Sequence, residues 1–512
     1  MNIFNCHYLT PKAQAPDLMS RVEVGRKTDL PSNFVWVACL VTAVFFNFNA
    51  SGAAVTWISS SEGQYWKTMP SPELRTEEPK MPPEVRVAPG KTFQTIDGFG
   101  GCFNEAGWVA LGKTSEADRR QVLSVLFGDN GCAFTLARLP IGASDFALGW
   151  YSLDETPGDL ALTNFSIARD KKFLIPYAKA AMEIRPGLRC WGSPWSPPAW
   201  MKVNGSYSKG SIQSEPEILQ SYATYLARWA EDYREAGIHI YAITPQNEPN
   251  ILSSYPTCEW TGPQLRDFIA DYLGPTLRNR KTNVELWLGL NGDPPGNGDN
   301  INDRLAAVMG DFRASSFITG VAFQYDSRTQ IGDASRLYPD KKLMQSETEC
   351  GGGANSWADA QHLYGLMKHY LENNANSYFM WNMVLDDTGL STWNWRQNAM
   401  ITVNRETGKM TFNGEYYVMR HFSQFVKPGA KRVLTTGVWG DKIAFVNPDG
   451  STVLVLGNSL NQPFPVALNV AGKTEGYTMN VTLPPKSFNT FVIPATVPGQ
   501  QTAMSGVSGK TE

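Results

Sequence analysis

Eight short apolar segments alternate with longer amphipathic segments between residues 96 and 426 of this 512-residue chain. They span residues 96–101, 134–142, 188–195, 240–246, 284–290, 319–324, 342–347 and 377–383. Short apolar runs are typical of buried parallel strands, and the segments between them have the spacing of helices. The alternation predicts an α/β fold, and eight strand–helix units predict a closed (β/α)8 barrel, or TIM barrel.

Two of the amphipathic segments carry helix signals. In residues 115–127, Ser115 occupies an N-cap position, and apolar side chains such as Val122 and Leu126 recur on one face. In residues 217–236, apolar side chains recur at helical spacing after Pro216. We therefore expect helices between the first and second strands and between the third and fourth.

The hydrophobic period changes to two after residue 427, which predicts an all-β sandwich. Six β-rich segments lie at residues 433–436, 442–446, 452–456, 466–470, 478–483 and 488–493. The predicted domains are a barrel at 96–427 and a sandwich at 428–495, to which residues 84–95 add a strand. Residues 55–83, which end in a proline-, serine- and charge-rich stretch, are predicted to be an exposed lead-in. The polar residues 496–512 are predicted to be a disordered tail.

The first 54 residues resemble a targeting segment. Arg26 and Lys27 precede an apolar run at residues 34–48, and small residues follow it. This order predicts a secretory signal in residues 1–54 and a secreted or lumenal protein. About 30 residues precede the run, so an uncleaved signal anchor and a membrane-anchored form remain the alternative. The five cysteines after residue 54 are an odd number and allow two disulfides at most.

Charge and histidine spacing limit the partners and cofactors. The chain has 45 Lys and Arg against 48 Asp and Glu, and no long block of one sign, so a nucleic-acid partner is not expected. The five histidines show no paired ligand spacing, so a catalytic metal is not expected. The pattern at Gly98 and Gly100 has Phe103 where a dinucleotide-binding motif has its third glycine, and no other cofactor is expected.

Two glutamates follow strands on opposite sides of the predicted barrel. Glu248 comes just after the fourth strand, and Glu347 ends the seventh. Side chains alternate between the two faces of a strand, so Glu347 lies on the same face as Leu343 and points into the barrel mouth if Leu343 does. By the same alternation, Glu349 also lies on that face. Two carboxyl groups at the catalytic face are the minimum for cleaving a glycosidic bond. The residues alone leave open whether the configuration is retained, and whether both are solvated loop acids.

Aromatic and polar residues surround these strand ends. The third strand ends in a stretch rich in tryptophan and proline that includes Trp195, which suits stacking on a sugar ring. Arg138 and Asp145 flank the second strand end, and Trp381 lies on the eighth strand. These groups are candidates for holding hydroxyls or positioning a glutamate, and an internal ion pair is an equal alternative for Arg138.

Seven motifs, in this order, make the chain resemble glycoside hydrolase family 30, and within it the glucosylceramidases and β-1,6-glucanases. They are TIDGFGGCFNEA, RLPIGASDF, SPWSPPAWMKVNGSYSKGS, AITPQNEPN, YPTCEWTGPQLRDFIADYLGPTL, SETECGGG and YYVMRHFSQFVKPGAKRV. The resemblance implies a barrel with a β-sandwich and a retaining mechanism. It implies that Glu248 is the acid/base, that Glu347 is the nucleophile, and that the sugar is contacted by Asp145, Trp195, Asn247 and Trp381.

Two departures concern the leaving-group side of the pocket. Gln324, Tyr325 and Asp326 stand where glucosylceramidases carry His-Trp-Tyr, and residues 383–398 look more like the β-1,6-glucanase branch. We expect a retaining β-glucoside hydrolase of the glucosylceramidase type, acting on glucosylceramide or a related β-glucoside. The alternatives are an endo-β-1,6-glucanase acting on cell-wall glucan and a secreted carbohydrate-binding protein with an inactive barrel. A glycolipid substrate would bring the protein to a membrane surface.

Overall fold

The computed structural model describes residues 54–76, 82–291, 301–471 and 476–495. The predicted targeting segment, apart from residue 54, and the predicted tail at 496–512 lie outside the described residues. Within these ranges, no helix has the length and apolar character that crossing a bilayer requires.

The described residues form twenty strands. In chain order they are β1 (Thr56–Ser61), β2 (Gln64–Met69), β3 (Val85–Thr95), β4 (Gly98–Cys102), β5 (Leu136–Ile141), β6 (Arg189–Pro194), β7 (Ile240–Ile243), β8 (Glu285–Asn291), β9 (Ile318–Gln324), β10 (Lys342–Glu347), β11 (Ser377–Asn382), β12 (Val384–Asp386), β13 (Ile401–Val403), β14 (Met410–Phe412), β15 (Lys431–Thr436), β16 (Lys442–Val446), β17 (Thr452–Asn458), β18 (Phe464–Val470), β19 (Tyr477–Leu483) and β20 (Ser487–Ile493).

The helices lie mainly between the barrel strands. They are α1 (Glu105–Leu111), α2 (Glu116–Phe127), α3 (Leu174–Ile184), α4 (Pro216–Glu235), α5 (Gly262–Asp267), α6 (Gly274–Asn279), α7 (Ile301–Met309), α8 (Phe312–Ser315), α9 (Ile331–Leu337), α10 (Trp357–Glu372) and α11 (Gly414–Ser423). A π-helical segment, Phe268–Leu273, joins α5 to α6, and short 3-10 segments occur at Asp170–Lys172, Ala199–Met201 and Tyr325–Gln330. The two helices predicted at 115–127 and 217–236 are α2, which Ser115 caps, and α4.

The strands β4 to β11 close into a parallel barrel in the order β10-β11-β4-β5-β6-β7-β8-β9. Each of the eight predicted segments overlaps one of these strands, so the predicted TIM barrel is confirmed. Seven strands each contribute one side chain to a buried interior cluster: Leu136, Trp191, Ala242, Trp287, Ala322, Met344 and Phe379. The barrel is therefore a packed core, and its strand ends are left to form a site.

The all-β domain is a nine-stranded sheet in the order β19-β18-β3-β15-β16-β17-β20-β1-β2. The six predicted strands are β15 to β20, and residues 84–95 supply β3 as expected, so the predicted attachment of a β-sandwich is confirmed. Its core is aliphatic and includes Val85, Val87, Leu454 and Leu468.

The expectation of an exposed lead-in at residues 55–83 is wrong for residues 56–61, which form the largely buried strand β1 and pair with β20. Residues 64–69 form β2, which pairs with β1 and is mostly exposed. Trp57 is buried, stacks on Phe491 with ring centroids 5.2 Å apart, and donates a hydrogen bond from Nε1 to Oδ1 of Asn489 at 3.1 Å. The serine-rich sequence of β1 did not indicate a buried strand, because the hydrogen bonds that satisfy the hydroxyl of Ser60 form only in the folded state.

One buried histidine connects helix α11 to the sheet. His421 Nδ1 lies 2.8 Å from Oγ1 of Thr490 on β20, and its Nε2 lies 2.9 Å from Oγ of Ser60 on β1. Burial lowers the pKa of His421 to about 3, so the ring is neutral. One of its nitrogens donates a hydrogen bond to a hydroxyl, and the other accepts one. The five cysteines of the described residues are all buried and unpaired.

Candidate active site

The predicted site residues come together at the carboxyl ends of the barrel strands. Asp145, Trp195, Glu248 and Glu347 line one pocket, and Arg138, Asn247, Gln324 and Trp381 are buried against them. The pocket is also lined by Tyr255, Tyr325, Asp326 and Trp395, which complete its outer wall. Parallel barrels place their sites at this face.

Glu347 is held by Arg138. The guanidinium Nη1 donates to Oε2 of Glu347 at 2.5 Å, and the exposed fractions of the two side chains are 1% and 5%. Burial raises the pKa of Glu347, and the Arg138 charge opposes this rise. An ion pair of this kind in a low-dielectric interior favours the ionised carboxylate.

The same guanidinium fixes two further groups. Its Nη2 donates to Oδ1 of Asn247 at 2.5 Å, and its Nε and Nη2 donate to Oγ of Ser193 at 3.0 and 2.8 Å. Its central carbon lies 4.6 Å from the ring centroid of Trp195 and 5.3 Å from that of Trp381. Arg138 therefore both makes the ion pair considered above and positions a glutamate.

Glu347 lines the pocket, which agrees with the prediction, but Leu343 does not point into the barrel as that prediction required. Met344, and not Leu343, lies in the barrel-interior cluster, so strict alternation would turn Glu347 toward the helices. The pairing of β9 with β10 shifts register between Gln345 and Glu347. Such an irregularity redirects the side chain that follows it, as β-bulges commonly do near active sites.

Glu248 has neutral neighbours instead of a cation. Nε2 of Gln324 donates to its Oε1 at 3.1 Å, and the hydroxyl of Tyr255 donates to its Oε2 at 3.2 Å. Burial and the nearby charge of Glu347 raise the pKa of Glu248 to about 8. The backbone of Glu248 has a φ of 48°, a left-handed conformation that residues other than glycine rarely adopt and that is often found at functional sites.

Gln324 is the first of the three residues at which this sequence differs from the His-Trp-Tyr run of glucosylceramidases. Its Oε1 accepts a hydrogen bond from Oγ of Ser346 at 3.0 Å, while its Nε2 donates to Glu248. The side chain of Gln324 therefore links the two strand ends that carry the glutamates.

Asp145 presents an unused acceptor to the pocket. Its Oδ2 accepts a hydrogen bond from Nε1 of Trp381 at 3.2 Å, whereas its buried Oδ1 has no hydrogen-bond partner among the described residues. Burial and the charges of Glu347 and Glu248 raise the pKa of Asp145 well above its usual range. Since buried polar atoms are normally paired, a ligand hydroxyl is the expected partner.

The tryptophans near the strand ends divide into two groups. Trp195 and Trp381 are buried and stacked, with ring centroids 5.0 Å apart, and Trp395 lines the pocket with 49% of its surface exposed. Trp200 instead donates from Nε1 to the backbone oxygen of Asp154 at 3.0 Å, which is a structural role.

Glu349 does not line the pocket that holds Glu248 and Glu347. It forms an ion pair with Arg328, and its Oε2 lies 2.9 Å from Nε2 of His362. Although partial burial raises it, the pKa of Glu349 ends below its usual value because of the His362 hydrogen bond and the Arg328 charge. Within the described residues, no group of three His, Cys, Asp or Glu side chains is placed to hold a metal ion.

Sequence reasoning missed three contributors to the site. Ser193, Ser346 and Tyr255 were not predicted as functional, although each contacts Arg138, Gln324 or Glu248. Ser346 directly precedes Glu347, a predicted catalytic residue, and this position in the sequence could have indicated that Ser346 lies in the site. Tyr255 lies in a loop, and no pattern around it indicated that it would reach Glu248.

Comparison with known protein families identifies both domains. Residues 96–426 match the model of the glycosyl hydrolase family 30 TIM-barrel domain, and residues 429–491 match that of the family 30 beta sandwich domain. The first match alone covers more than half of the 512-residue chain.

Individual relatives carry two different names. The chain is 27% identical to the lysosomal acid glucosylceramidase of Mus musculus, over 75% of this chain and 79% of that protein. It is 28% identical to an endo-1,6-beta-D-glucanase of Neurospora crassa, over 80% of this chain and 87% of that protein. Among solved structures, SrfJ from Salmonella typhimurium superposes with a TM-score of 0.79 at 27% identity, over 86% of this chain and 100% of SrfJ.

Proposed function

Because the chain belongs to glycosyl hydrolase family 30, we propose that it is a retaining β-glucoside hydrolase with Glu248 as acid/base and Glu347 as nucleophile. Members of this family are glycosidases. The roles of Glu248 and Glu347 follow from the groups that surround them in the pocket. The observation that supports them is the unequal surroundings of the two carboxyl groups. Glu347 forms an ion pair with Arg138, while Glu248 accepts hydrogen bonds from the neutral donors Gln324 and Tyr255.

We propose that the two carboxyl groups differ in protonation state, because Arg138 lowers the pKa of Glu347 and the charge of Glu347 raises that of Glu248. With a pKa of about 8, Glu248 carries a proton at neutral pH and can donate it. Ionised Glu347 is available to attack, because its charge is compensated by Arg138. A pair of carboxyl groups with separated pKa values is the usual basis for assigning acid and nucleophile roles.

The first step transfers the glucosyl group to the protein. Glu248 protonates the glycosidic oxygen as its bond to the anomeric carbon breaks, and Oε of Glu347 forms a new bond to that carbon. The leaving group departs as an alcohol, and Glu248 is left ionised. In the second step Glu248 takes a proton from water, the resulting oxygen displaces Glu347, and glucose leaves with its original configuration.

The remaining site residues orient the sugar. The Arg138 hydrogen bond occupies Oδ1 of Asn247, so its Nδ2 is directed to the 2-hydroxyl, a contact that strengthens in the transition state. Oδ1 of Asp145 accepts a second hydroxyl, and Trp195 with Trp381 supplies an apolar wall.

The substrate class we propose is a β-glucoside, either glucosylceramide or a β-1,6-glucan. The similarity to a glucosylceramidase and to an endo-1,6-β-glucanase is nearly equal, at 27% and 28% identity. Product release from glucosylceramide and from β-1,6-glucan, measured in parallel with the same preparation, distinguishes them.

The catalytic proposal has a direct test. Purified protein is incubated with an aryl β-glucoside, and the first-formed anomer is followed by proton NMR. We expect hydrolysis with β-glucose appearing first. Release of α-glucose first would overturn the retaining mechanism, and the absence of hydrolysis of every β-glucoside offered would favour the inactive carbohydrate-binding alternative.

We further propose that the protein acts in an extracellular or lumenal compartment, on the strength of the targeting pattern in residues 1–54. N-terminal sequencing of the protein recovered from culture medium tests this. An N-terminus near residue 54 is expected, and recovery of full-length protein from the cytosol alone would contradict it.

A further inference from the structure

Three aromatic side chains, Trp150, Tyr207 and Trp393, form a shelf beside the catalytic pocket. The ring of Trp150 stacks on that of Tyr207, with centroids 5.7 Å apart and planes at 16°. Trp393 packs edge-on against Trp150 at 5.0 Å and 64°. None of the three lines the pocket that holds the glutamates. The shelf is thus a second aromatic surface outside the site described so far.

The shelf lies on the catalytic face of the barrel. Trp150, Tyr207 and Trp393 belong to the loops that follow β5, β6 and β12, at the same face as Glu248. Two of its loops also supply residues that line the pocket: Asp145 lies in the loop of Trp150, and Trp395 lies in the loop of Trp393.

Hydrogen bonds hold the shelf in place without a ligand. The hydroxyl of Tyr207 donates to Oε1 of Glu155 at 2.5 Å, and Nζ of buried Lys202 donates to the backbone oxygen of Tyr207 at 3.1 Å. Oγ1 of Thr392 donates to the backbone oxygen of Ala147 at 2.7 Å, which ties together the loops of Trp393 and Trp150. Such pre-organisation reduces the entropy lost on binding.

The exposure of Trp150 indicates a ligand and not a core role. It is 44% exposed although it sits in a tied loop, and exposed apolar surface beside a site commonly marks recognition. The adjoining groups are polar: the carboxylate of Glu155 borders the shelf through Tyr207. A flat apolar ring edged by a carboxylate matches a pyranose, whose faces carry C–H groups and whose rim carries hydroxyls. An acyl chain would leave that carboxylate facing hydrocarbon, which is unfavourable.

We propose that this shelf binds a further glucose unit of a β-glucan chain whose terminal bond is cleaved in the pocket. This inference rests on the proposed function and makes a soluble oligomeric or polymeric β-glucoside, instead of a glycolipid, the preferred substrate. Chains long enough to reach the shelf gain affinity there, whereas an aryl glucoside does not reach it.

The test compares chain-length dependence in matched variants. The values of kcat/KM for β-1,6-linked gluco-oligosaccharides of two to six units are divided by kcat/KM for an aryl β-glucoside. We expect this ratio to rise with length in the wild type and to fall about tenfold in Trp150→Ala on the longest chain, equivalent to about 1.4 kcal/mol. Trp150→Tyr should restore most of it, and Trp393→Ala should lower it as well, because Trp393 packs against Trp150.

The control is Phe312→Ala, which removes an aromatic side chain that is 86% exposed in α8, directly before β9. Its ratio should equal that of the wild type. A wild-type protein that cleaves the aryl glucoside but shows the same ratio in Trp150→Ala and Trp393→Ala would overturn the shelf and leave the proposed function standing. If Trp150→Ala instead loses only its turnover of glucosylceramide in vesicles, the shelf contacts a lipid, and the proposal that it binds a glucose unit is overturned. A wild type inactive on every substrate would reject the proposed function itself.

Discussion

Arg138 and Glu347 form an ion pair across the barrel: Nη1 of Arg138 on β5 lies 2.5 Å from Oε2 of Glu347 at the end of β10. Both groups are buried, so each compensates the charge of the other in an environment with little access to water. Breaking a buried pair by removing one partner is strongly unfavourable, because the remaining charge is left without compensation. The pair therefore links the stability of the pocket to its chemistry.

Replacing Arg138 with Met should move the acid limb of the pH–rate profile. The guanidinium lowers the pKa of Glu347, so its removal raises that pKa and keeps the nucleophile protonated up to a higher pH. We expect the acid limb of kcat/KM to shift to higher pH and the free energy of unfolding at neutral pH to fall by roughly 3–5 kcal/mol. Arg138→Lys keeps the charge and should shift the limb less. An unmoved acid limb in Arg138→Met would contradict the pairing.

Replacing Glu347 with Gln should abolish turnover, because an amide cannot form the glycosyl ester. We expect kcat to fall by about 10⁴-fold or more, with the protein still folded by circular dichroism. Substrate binding, measured by calorimetry, should persist.

Glu349→Gln is the matched control for that variant, since Glu349 is two residues away but is paired with Arg328 and His362. We expect it to keep kcat within about tenfold of the wild type, because its contacts lie outside the pocket. If Glu349→Gln is inactive while Glu347→Gln retains its rate, the nucleophile is assigned to the wrong glutamate.

Replacing Glu248 with Gln should have an effect that depends on the leaving group. Loss of a general acid slows reactions by roughly 10²–10⁴-fold when the departing oxygen needs a proton. The loss should be large for an alkyl β-glucoside and much smaller for a dinitrophenyl β-glucoside in the glucosylation step. Equal losses for both, measured in the pre-steady state, would remove Glu248 from the acid role.

The alkaline limb of kcat/KM should report Glu248, with activity falling above about pH 8 as this acid loses its proton. The Tyr255 hydrogen bond stabilises the ionised form and so lowers the pKa of Glu248. Tyr255→Phe should therefore raise that pKa and move the alkaline limb to higher pH. Tyr417→Phe, on α11, serves as the control and should leave the limb in place. A Tyr255→Phe shift to lower pH would contradict the assignment.

The barrel and the position of its two glutamates could be predicted from the sequence because their signals are local. Most barrel strands are short apolar runs, and the residue after such a strand lies at the carboxyl-terminal face of a parallel barrel. Glu248 follows such a run directly, and the Asn-Glu-Pro motif around it matches a known family. The same reasoning gave β15 to β20, since an alternation of period two needs no knowledge of neighbouring strands.

Features that depend on register or on distant partners could not be predicted. Alternation from Leu343 gave a wrong reason for the orientation of Glu347, because the register shift beside Gln345 depends on how β9 pairs with β10. Strand β1 was missed because the burial of its serines depends on His421 and β20, hundreds of residues away.

The sequence by itself therefore determined which segments form the barrel strands, which six segments form β15 to β20, and which two glutamates end up at the barrel mouth. Only the tertiary structure decided the electrostatic surroundings of these two glutamates. Closing the barrel brings Arg138 to Glu347, 209 positions apart in the chain, and leaves Glu248 with Gln324 and Tyr255. Charge interactions in a buried site depend on distances of a few ångströms, and those are set by closure of the sheet and not by any local pattern.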